Sequence, residues 1–129
     1  MIPFMTAYGV AFVVFFAIDL VWLGKIEKTL YRKEIGSLLL ERPNWTAGIL
    51  FYLIYLVGIV VFAILPANSW LESLGYGALF GFIAYATYDL TNLATMKNWS
   101  IKITIIDLVW GSFISGMTAM ISFLLLSIF

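Results

Sequence analysis

Hydrophobic residues dominate four long stretches of the chain, and short polar stretches separate them. A helix needs about 20 predominantly apolar residues to cross the hydrocarbon core of a bilayer. The pattern therefore predicts an all-α integral membrane protein, a four-helix bundle that forms a single domain over residues 1–129. The predicted spans cover residues 4–23, 46–65, 74–96 and 101–128. We interpret the first apolar stretch as a retained span and not as a removed signal peptide, because no basic region precedes it.

The segment between the first two spans is different, because charged residues recur among its apolar ones. Ile26, Leu30 and Ile35 fall at helical spacings within it. Such a pattern is typical of an amphipathic helix that lies at a membrane surface. We predict this interfacial helix over residues 25–42, and a solvated loop is the alternative. Pro43 should end the helix, since proline cannot donate the next backbone hydrogen bond.

Composition supports the membrane assignment and excludes several kinds of chemistry. The chain is 64% hydrophobic and 11% charged, with a mean hydropathy of +1.06. Soluble domains are closer to about half apolar and a quarter charged. The sequence contains neither cysteine nor histidine. Disulfides, thiol nucleophiles, and histidine acting as a general base or metal ligand are therefore excluded.

The basic residues predict the orientation of the chain in the membrane. Lysine and arginine prefer the cytoplasmic flanks of membrane spans. With four spans, both basic connectors lie on one face, so we expect that face to be cytoplasmic and both termini to lie outside. All seven basic residues flank these connectors: Lys25, Lys28, Arg32, Lys33 and Arg42 after the first span, and Lys97 and Lys102 around the connector between the third and fourth spans.

Three aspartates interrupt the apolar stretches: Asp19, Asp89 and Asp107. At a helical rise of about 1.5 Å per residue, they lie about 9, about 12 and about 7.5 Å inward from the nearest lysine. The helices that carry them run in alternating directions, so the three carboxyl groups should lie at nearly one depth. The sequence predicts an acidic layer just inside the cytoplasmic leaflet.

The three aspartates are the candidate catalytic residues. Paired carboxyl groups can act as general acid and general base. Magnesium is a candidate cofactor, because hard cations prefer oxygen ligands, but no set of metal ligands is assigned. The alternative is a structural role, in which the aspartates form hydrogen bonds between helices, or Asp107 pairs with Lys102.

Five further residues are candidates for substrate binding, because they lie next to the aspartates. Residues three or four positions apart share one face of a helix. By this rule Trp22 lies on the same helix face as Asp19. The motif Ile-Asp-Leu-Val-Trp occurs twice, at residues 18–22 and 106–110, and Trp110 ends the second copy. The alternative for both tryptophans is an interfacial anchor. We predict that Tyr52 and Tyr55 of the second span are packing residues. The candidate binding residues are Trp22, Tyr85, Asn92, Thr104 and Trp110.

Four motifs in the chain point to a known family. They are Tyr88-Asp89-Leu90-Thr91-Asn92-Leu93-Ala94-Thr95, Lys97-Asn98-Trp99, Asp107-Leu108-Val109-Trp110-Gly111 and, near the start, Asp19-Leu20-Val21-Trp22-Leu23-Gly24. Together they resemble one family of small bacterial membrane proteins, the domain of unknown function 2177. The resemblance extends over essentially the whole chain. It implies a four-span protein of the bacterial inner membrane, and it implies no particular activity.

Three functions fit these observations. The first is an enzyme or binding protein for a lipid or another amphipathic substrate, whose acidic site lies at headgroup depth. The second is a small proton-coupled transporter of a cationic substrate. Because the charge bias opposes dual topology, such a transporter would be a parallel homo-oligomer. The third is a structural or accessory subunit. Membrane lipids are the expected partners, and no nucleic acid is expected.

Overall fold

The computed structural model describes residues 2–40 and 42–128, with the side chains of residues 27 and 28 left aside. Over these residues the protein is all-α and contains no strand, which confirms the predicted fold class. Four long helices are joined by short connectors. The elements are α1 (Phe4–Trp22), a π-helical continuation (Leu23–Tyr31), α2 (Arg32–Ile35), a 3₁₀ turn (Gly36–Leu38), α3 (Trp45–Ile59) with its π-helical continuation (Val60–Ile64), α4 (Trp70–Thr95) and α5 (Ile101–Ile128).

Polar residues at the turns start three of the long helices. The side chain of Asn44 accepts a hydrogen bond from the Ala47 amide at 3.1 Å at the start of α3. Ser69 does the same for the Glu72 amide of α4, at 3.1 Å. Ser100 accepts from the amide of Ile103, also at 3.1 Å, at the start of α5. Such caps satisfy backbone donors that lack a partner within the first turn. The helix starts are therefore encoded locally.

Three stretches of helix are long and apolar enough to cross a membrane: Phe4–Ile26, Trp45–Ile64 and Ile101–Ile128. α4 is not among them, although it is 26 residues long. Glycine, serine, tyrosine and aspartate make α4 less apolar than the other long helices, and several of these residues are buried against other helices. The protein is thus an all-α membrane protein, and a fourth span stays a prediction.

Helices α4 and α5 form the closest contact in the fold, and small residues make it close. A β-carbon built on Gly77 would lie 2.6 Å from the backbone oxygen of Ser115. A β-carbon on Gly81 would overlap the backbone oxygen of Gly111. Small residues allow two helix backbones to approach in this way. The contact aligns α4 and α5 side by side and sets the positions of the polar residues along both.

Helix α3 packs against the rest of the protein mainly through its second half. Leu56, Ile59 and Val60 are completely buried. The first half is largely exposed, with Leu50 53% and Ile54 69% accessible. The core between α1, α3 and α5 is mainly aliphatic, and the Tyr55 hydroxyl forms a hydrogen bond with Ser115 in it. One end of α3 is therefore held firmly, and the other leaves a cleft beside α4.

The segment predicted as an interfacial helix is a direct continuation of α1. Its backbone stays helical from Leu23 to Ile35, and the 3₁₀ turn follows. The helix thus ends before the predicted limit at residue 42, so Pro43 is not what ends it. Ser100 donates a hydrogen bond to the Glu34 carboxylate at 3.2 Å. The continuation therefore lies against the start of α5, at what we call the basic end of the molecule, where α1 and α4 end and α3 and α5 begin.

Candidate functional site

A cavity of about 230 Å³ opens at the basic end, and every long helix contributes to its wall. Two of its residues are carboxylic acids and six are aromatic. Cavities for whole small-molecule ligands span roughly 300–1,000 Å³, so this one suits the polar part of a larger ligand. Its lining consists of Asp19, Trp22, Leu23, Tyr31, Tyr52, Tyr85, Tyr88, Asp107 and Trp110.

Asp19 is held in place by a tyrosine of α3. Its side chain is 3% exposed, and the Tyr52 hydroxyl donates a hydrogen bond to its Oδ2 at 2.8 Å. A buried carboxylate needs such donors, because burial without a partner costs free energy. Sequence reasoning treated Tyr52 as a packing residue. The available signal was that Tyr52 is one of only two tyrosines in an otherwise apolar span.

Asp107 is held from a different direction, by the continuation of α1. The side chain is 5% exposed, and the Tyr31 hydroxyl donates a hydrogen bond to its Oδ1. Burial, together with the neighbouring Asp107 carboxyl, raises the pKa of Tyr31 well above that of a free phenol. Tyr31 therefore stays a proton donor across the physiological range. Sequence analysis did not identify Tyr31 as a site residue, because the contact spans 76 residues of sequence.

Asp89 is the least solvent-exposed of the three aspartates. It is 0% exposed, and neither carboxyl oxygen has a hydrogen-bond partner among the described residues. The Asp107 carboxyl is close enough to act on it electrostatically. Within the described chain, no lysine or arginine interacts with Asp19, Asp89 or Asp107. The alternative pairing of Asp107 with Lys102 is therefore not seen. No lysine or arginine of the described chain offsets the charge of these three carboxyl groups.

Stacked aromatic rings form one wall of the cavity. The indole rings of Trp22 and Trp110 lie parallel, with centroids 4.1 Å apart and an interplanar angle of 11°. Tyr31 meets Trp22 edge-on at 6.3 Å. The two copies of Ile-Asp-Leu-Val-Trp therefore meet in space, each contributing an aspartate and a tryptophan to the same cavity. Offset and edge-to-face ring contacts of this kind hold a rigid wall in place.

An apolar cleft of about 320 Å³ adjoins the cavity between α3 and α4. Its walls are Phe51, Ala84, Tyr85 and Tyr88. The two tyrosines also line the acidic cavity, so the two spaces share a wall. The hydroxyl of Tyr85 forms no hydrogen bond within the described part of the chain. Polar and apolar surfaces thus meet at this pair of tyrosines.

The remaining predicted residues lie outside the cavity lining. The hydroxyl of Thr104 already has two hydrogen-bond partners outside the cavity. It accepts from the Trp99 indole at 3.1 Å and donates to the Ser100 carbonyl at 3.0 Å. Asn92 is half-buried one turn beyond Tyr88. Asp19, Trp22, Tyr85, Asp107 and Trp110 come together in the cavity, and Asp89 lies behind Asp107.

The carboxyl groups of the described chain are too few to hold a metal ion by themselves. Among the described residues there is no group of three acidic, histidine or cysteine side chains close enough to hold a metal ion. Magnesium prefers near-octahedral oxygen coordination, usually with one or two carboxylates, several waters and substrate phosphates. Asp19 and Asp107 face the same cavity from different helices, so only a ligand that brings its own oxygen atoms would complete such a shell.

Comparison with known families gives one finding. Residues 4–124 match the family model described as predicted membrane protein, DUF2177. The match covers α1, α3 and α4, α5 up to residue 124, and every residue that lines the acidic cavity. The comparison with curated proteins gives no match, and neither does the comparison with solved structures.

Proposed function

The chain belongs to the DUF2177 family of predicted membrane proteins, and we propose that it binds or modifies an amphipathic, lipid-like substrate at the cytoplasmic face of the bacterial inner membrane. The observation that carries this proposal is the shared wall between the acidic cavity and the apolar cleft. A molecule with a polar head and an apolar tail fits both spaces at once, with Tyr85 and Tyr88 at the junction. Its tail would enter between α3 and α4.

The proposed topology has four spans. Helix α4 is about 39 Å long at the usual rise per residue, sufficient to cross a bilayer core of roughly 30 Å. Its buried polar side chains face other helices, while Leu79, Phe82 and Ile83 are exposed. If α4 spans, all basic residues flank one side of the membrane, as the cytoplasmic preference of lysine and arginine requires. Both termini then lie outside.

The carboxyl groups supply the proposed chemistry. Asp19 and Asp107 line the cavity and would orient the head of the substrate through hydrogen bonds or charge. Asp89 interacts with Asp107 and is shielded from solvent, so the two carboxyls form a pair with different surroundings. Such pairs divide the roles of general acid and general base. Asp107 would then contact the substrate, and Asp89 would exchange a proton with Asp107.

Native mass spectrometry of the protein released from mild detergent tests the binding step. Ala84→Trp places an indole in the apolar cleft, whereas Ala86→Trp changes the outer groove of the same helix and is the matched control. We expect the wild type and Ala86→Trp to retain lipid and Ala84→Trp to lose it. A folded wild type that retains no lipid, or equal retention by all three proteins, contradicts the proposal and favours a structural role.

A second candidate function, proton-coupled transport of a cationic substrate, is favoured by one observation. Asp89 is a fully buried carboxyl without a hydrogen-bond partner among the described residues. Ionisable residues inside membrane segments commonly mark proton relays and ion pathways. Proton flux into proteoliposomes on addition of a substrate cation, abolished by Asp89→Asn, would favour this function over lipid binding.

A further inference from the structure

The acidic cavity contains carboxyl groups that no positive group of the described chain balances. Asp19 and Asp107 line it, and each is held by a tyrosine hydroxyl instead of a cation. Asp89 is 0% exposed, lies outside the lining and interacts with the Asp107 carboxyl. A tyrosine hydroxyl offers a carboxylate a hydrogen bond but no counter-charge. The cavity therefore favours a ligand that carries a positive charge.

The aromatic wall determines which kind of cation fits. Aromatic ring faces attract organic ammonium groups, and cages of tryptophan and tyrosine recognise choline-like and methylated amines. Six of the nine residues that line the cavity are tryptophan or tyrosine. A bare metal ion would have to take most of its oxygen ligands from water, because no three acidic groups of the described chain gather closely enough to hold it.

We propose that the acidic cavity binds an organic ammonium group, with the charge between the Asp19 and Asp107 carboxyls and the alkyl substituents against the Trp22–Trp110 stack. This inference rests on the proposed function and names the head of its substrate. The adjoining cleft of about 320 Å³ would take an alkyl chain attached to the same nitrogen. The ammonium group can belong to a lipid headgroup or to a free amine, and the two sources differ in whether a chain occupies the cleft.

The experiment compares four probes on the wild-type protein in nanodiscs of phosphatidylglycerol, a lipid that has no amine. The probes are decyltrimethylammonium, decanol, decyl sulfate and tetramethylammonium, and empty nanodiscs correct for partitioning. A change in tryptophan emission reports binding, because Trp22 and Trp110 line the cavity and a bound probe alters their surroundings. We expect decyltrimethylammonium to bind at least about tenfold more tightly than decanol, and decyl sulfate to bind most weakly.

Three variants locate the bound ammonium group. Asp107→Asn and Trp110→Phe should each lose most of the preference for decyltrimethylammonium over decanol. Trp45→Phe is the matched control, because Trp45 is 70% exposed at the start of α3, outside the cavity. The comparison of probes on the wild type does not depend on any variant folding.

The outcomes separate this inference from the proposed function. Equal binding of decyltrimethylammonium and decanol, with both blocked by Ala84→Trp, leaves the amphipathic site standing and overturns the ammonium inference. Stronger binding of decyl sulfate does the same. Failure of all four probes overturns both proposals, whereas binding of tetramethylammonium alone overturns only the amphipathic substrate. Tetramethylammonium binding as tightly as the decyl compound supports the ammonium site and identifies its ligand as a free cation, as a transporter requires.

Discussion

Replacing Gly81 with alanine should separate the two helices that carry the carboxyl pair. The new β-carbon would overlap the backbone oxygen of Gly111 and lie close to the Ser115 side chain. A backbone atom cannot turn aside as a flexible side chain does, so α4 must move away from α5. Asp89 lies two turns beyond Gly81 on the same face of α4, and the movement would also draw it away from Asp107.

The size of the effect follows from the distances. At Gly77 the added carbon would lie 2.6 Å from a backbone oxygen, whereas ordinary contact begins at 3.4 Å, so the helices must part by about 0.8 Å. The overlap at Gly81 is greater. Forcing extra atoms into a close contact typically costs about 1–3 kcal/mol. We therefore expect Gly81→Ala to lower the free energy of unfolding by about that amount, and Gly77→Ala to lower it less.

Gly75→Ala is the matched control, since nothing lies within 4 Å of its added β-carbon. All three substitutions change helix propensity alike, by at most about 1 kcal/mol in favour of alanine. Their differences therefore isolate the contact. Reversible unfolding in mixed micelles with increasing sodium dodecyl sulfate, followed by tryptophan fluorescence, measures them. If Gly81→Ala is as stable as Gly75→Ala, α4 and α5 do not approach each other as closely as these distances require.

Three further predictions use single substitutions. Tyr52→Phe removes the hydrogen bond to the buried Asp19 carboxyl and should lower the free energy of unfolding by about 1–3 kcal/mol. Tyr8→Phe, which removes an exposed hydrogen bond to a backbone oxygen between the same two helices, should lower it less, and chemical denaturation compares the two. Folding raises the pKa of Tyr31, so above about pH 10 the folded state keeps a proton that the unfolded state releases. The free energy of unfolding therefore decreases as the pH rises past that value, and Tyr31→Phe should make this decrease smaller. The chain has no cysteine, so single introduced cysteines report the topology directly. An impermeant maleimide added to intact cells should label Asn68→Cys and leave Ser37→Cys unlabelled. The reverse result would invert the proposed orientation.

Local sequence signals predicted the helices well, because each signal acts within a few residues. The apolar run at 101–128 has the same bounds as α5. Among the long helices, the largest difference is at the start of α4, at Trp70 instead of residue 74, where Ser69 caps the helix. Helical spacing also predicts that the aspartates lie at one level, since depth along a helix follows from its rise per residue.

Contacts between distant segments could not be predicted in the same way. Tyr31 reaches Asp107 only because the helix continues past Trp22 and folds against α5. Thr104 shares a helix face with Asp107, yet the Trp99 indole occupies its hydroxyl. The spacing of residues along a helix predicts which face a side chain lies on, but it does not predict which neighbouring residue forms a hydrogen bond with it. The cleft beside Phe51 likewise depends on where α3 leaves the core.

Helix α4 shows why average hydropathy understates what a helix can do in a membrane. Its buried positions include Ser73, Gly77, Gly81 and Asp89, and its large apolar residues are exposed. An aspartate at the centre of a bilayer costs about 2.5–3.5 kcal/mol on insertion scales, and less near the interface. The cost is lowest when the side chain faces another helix, and here that helix is α5. The features that lower the hydropathy of α4 are therefore the features that pack it against α5 and line the cavity, so α4 is suited to span the membrane as the partner of α5 and not as an isolated helix.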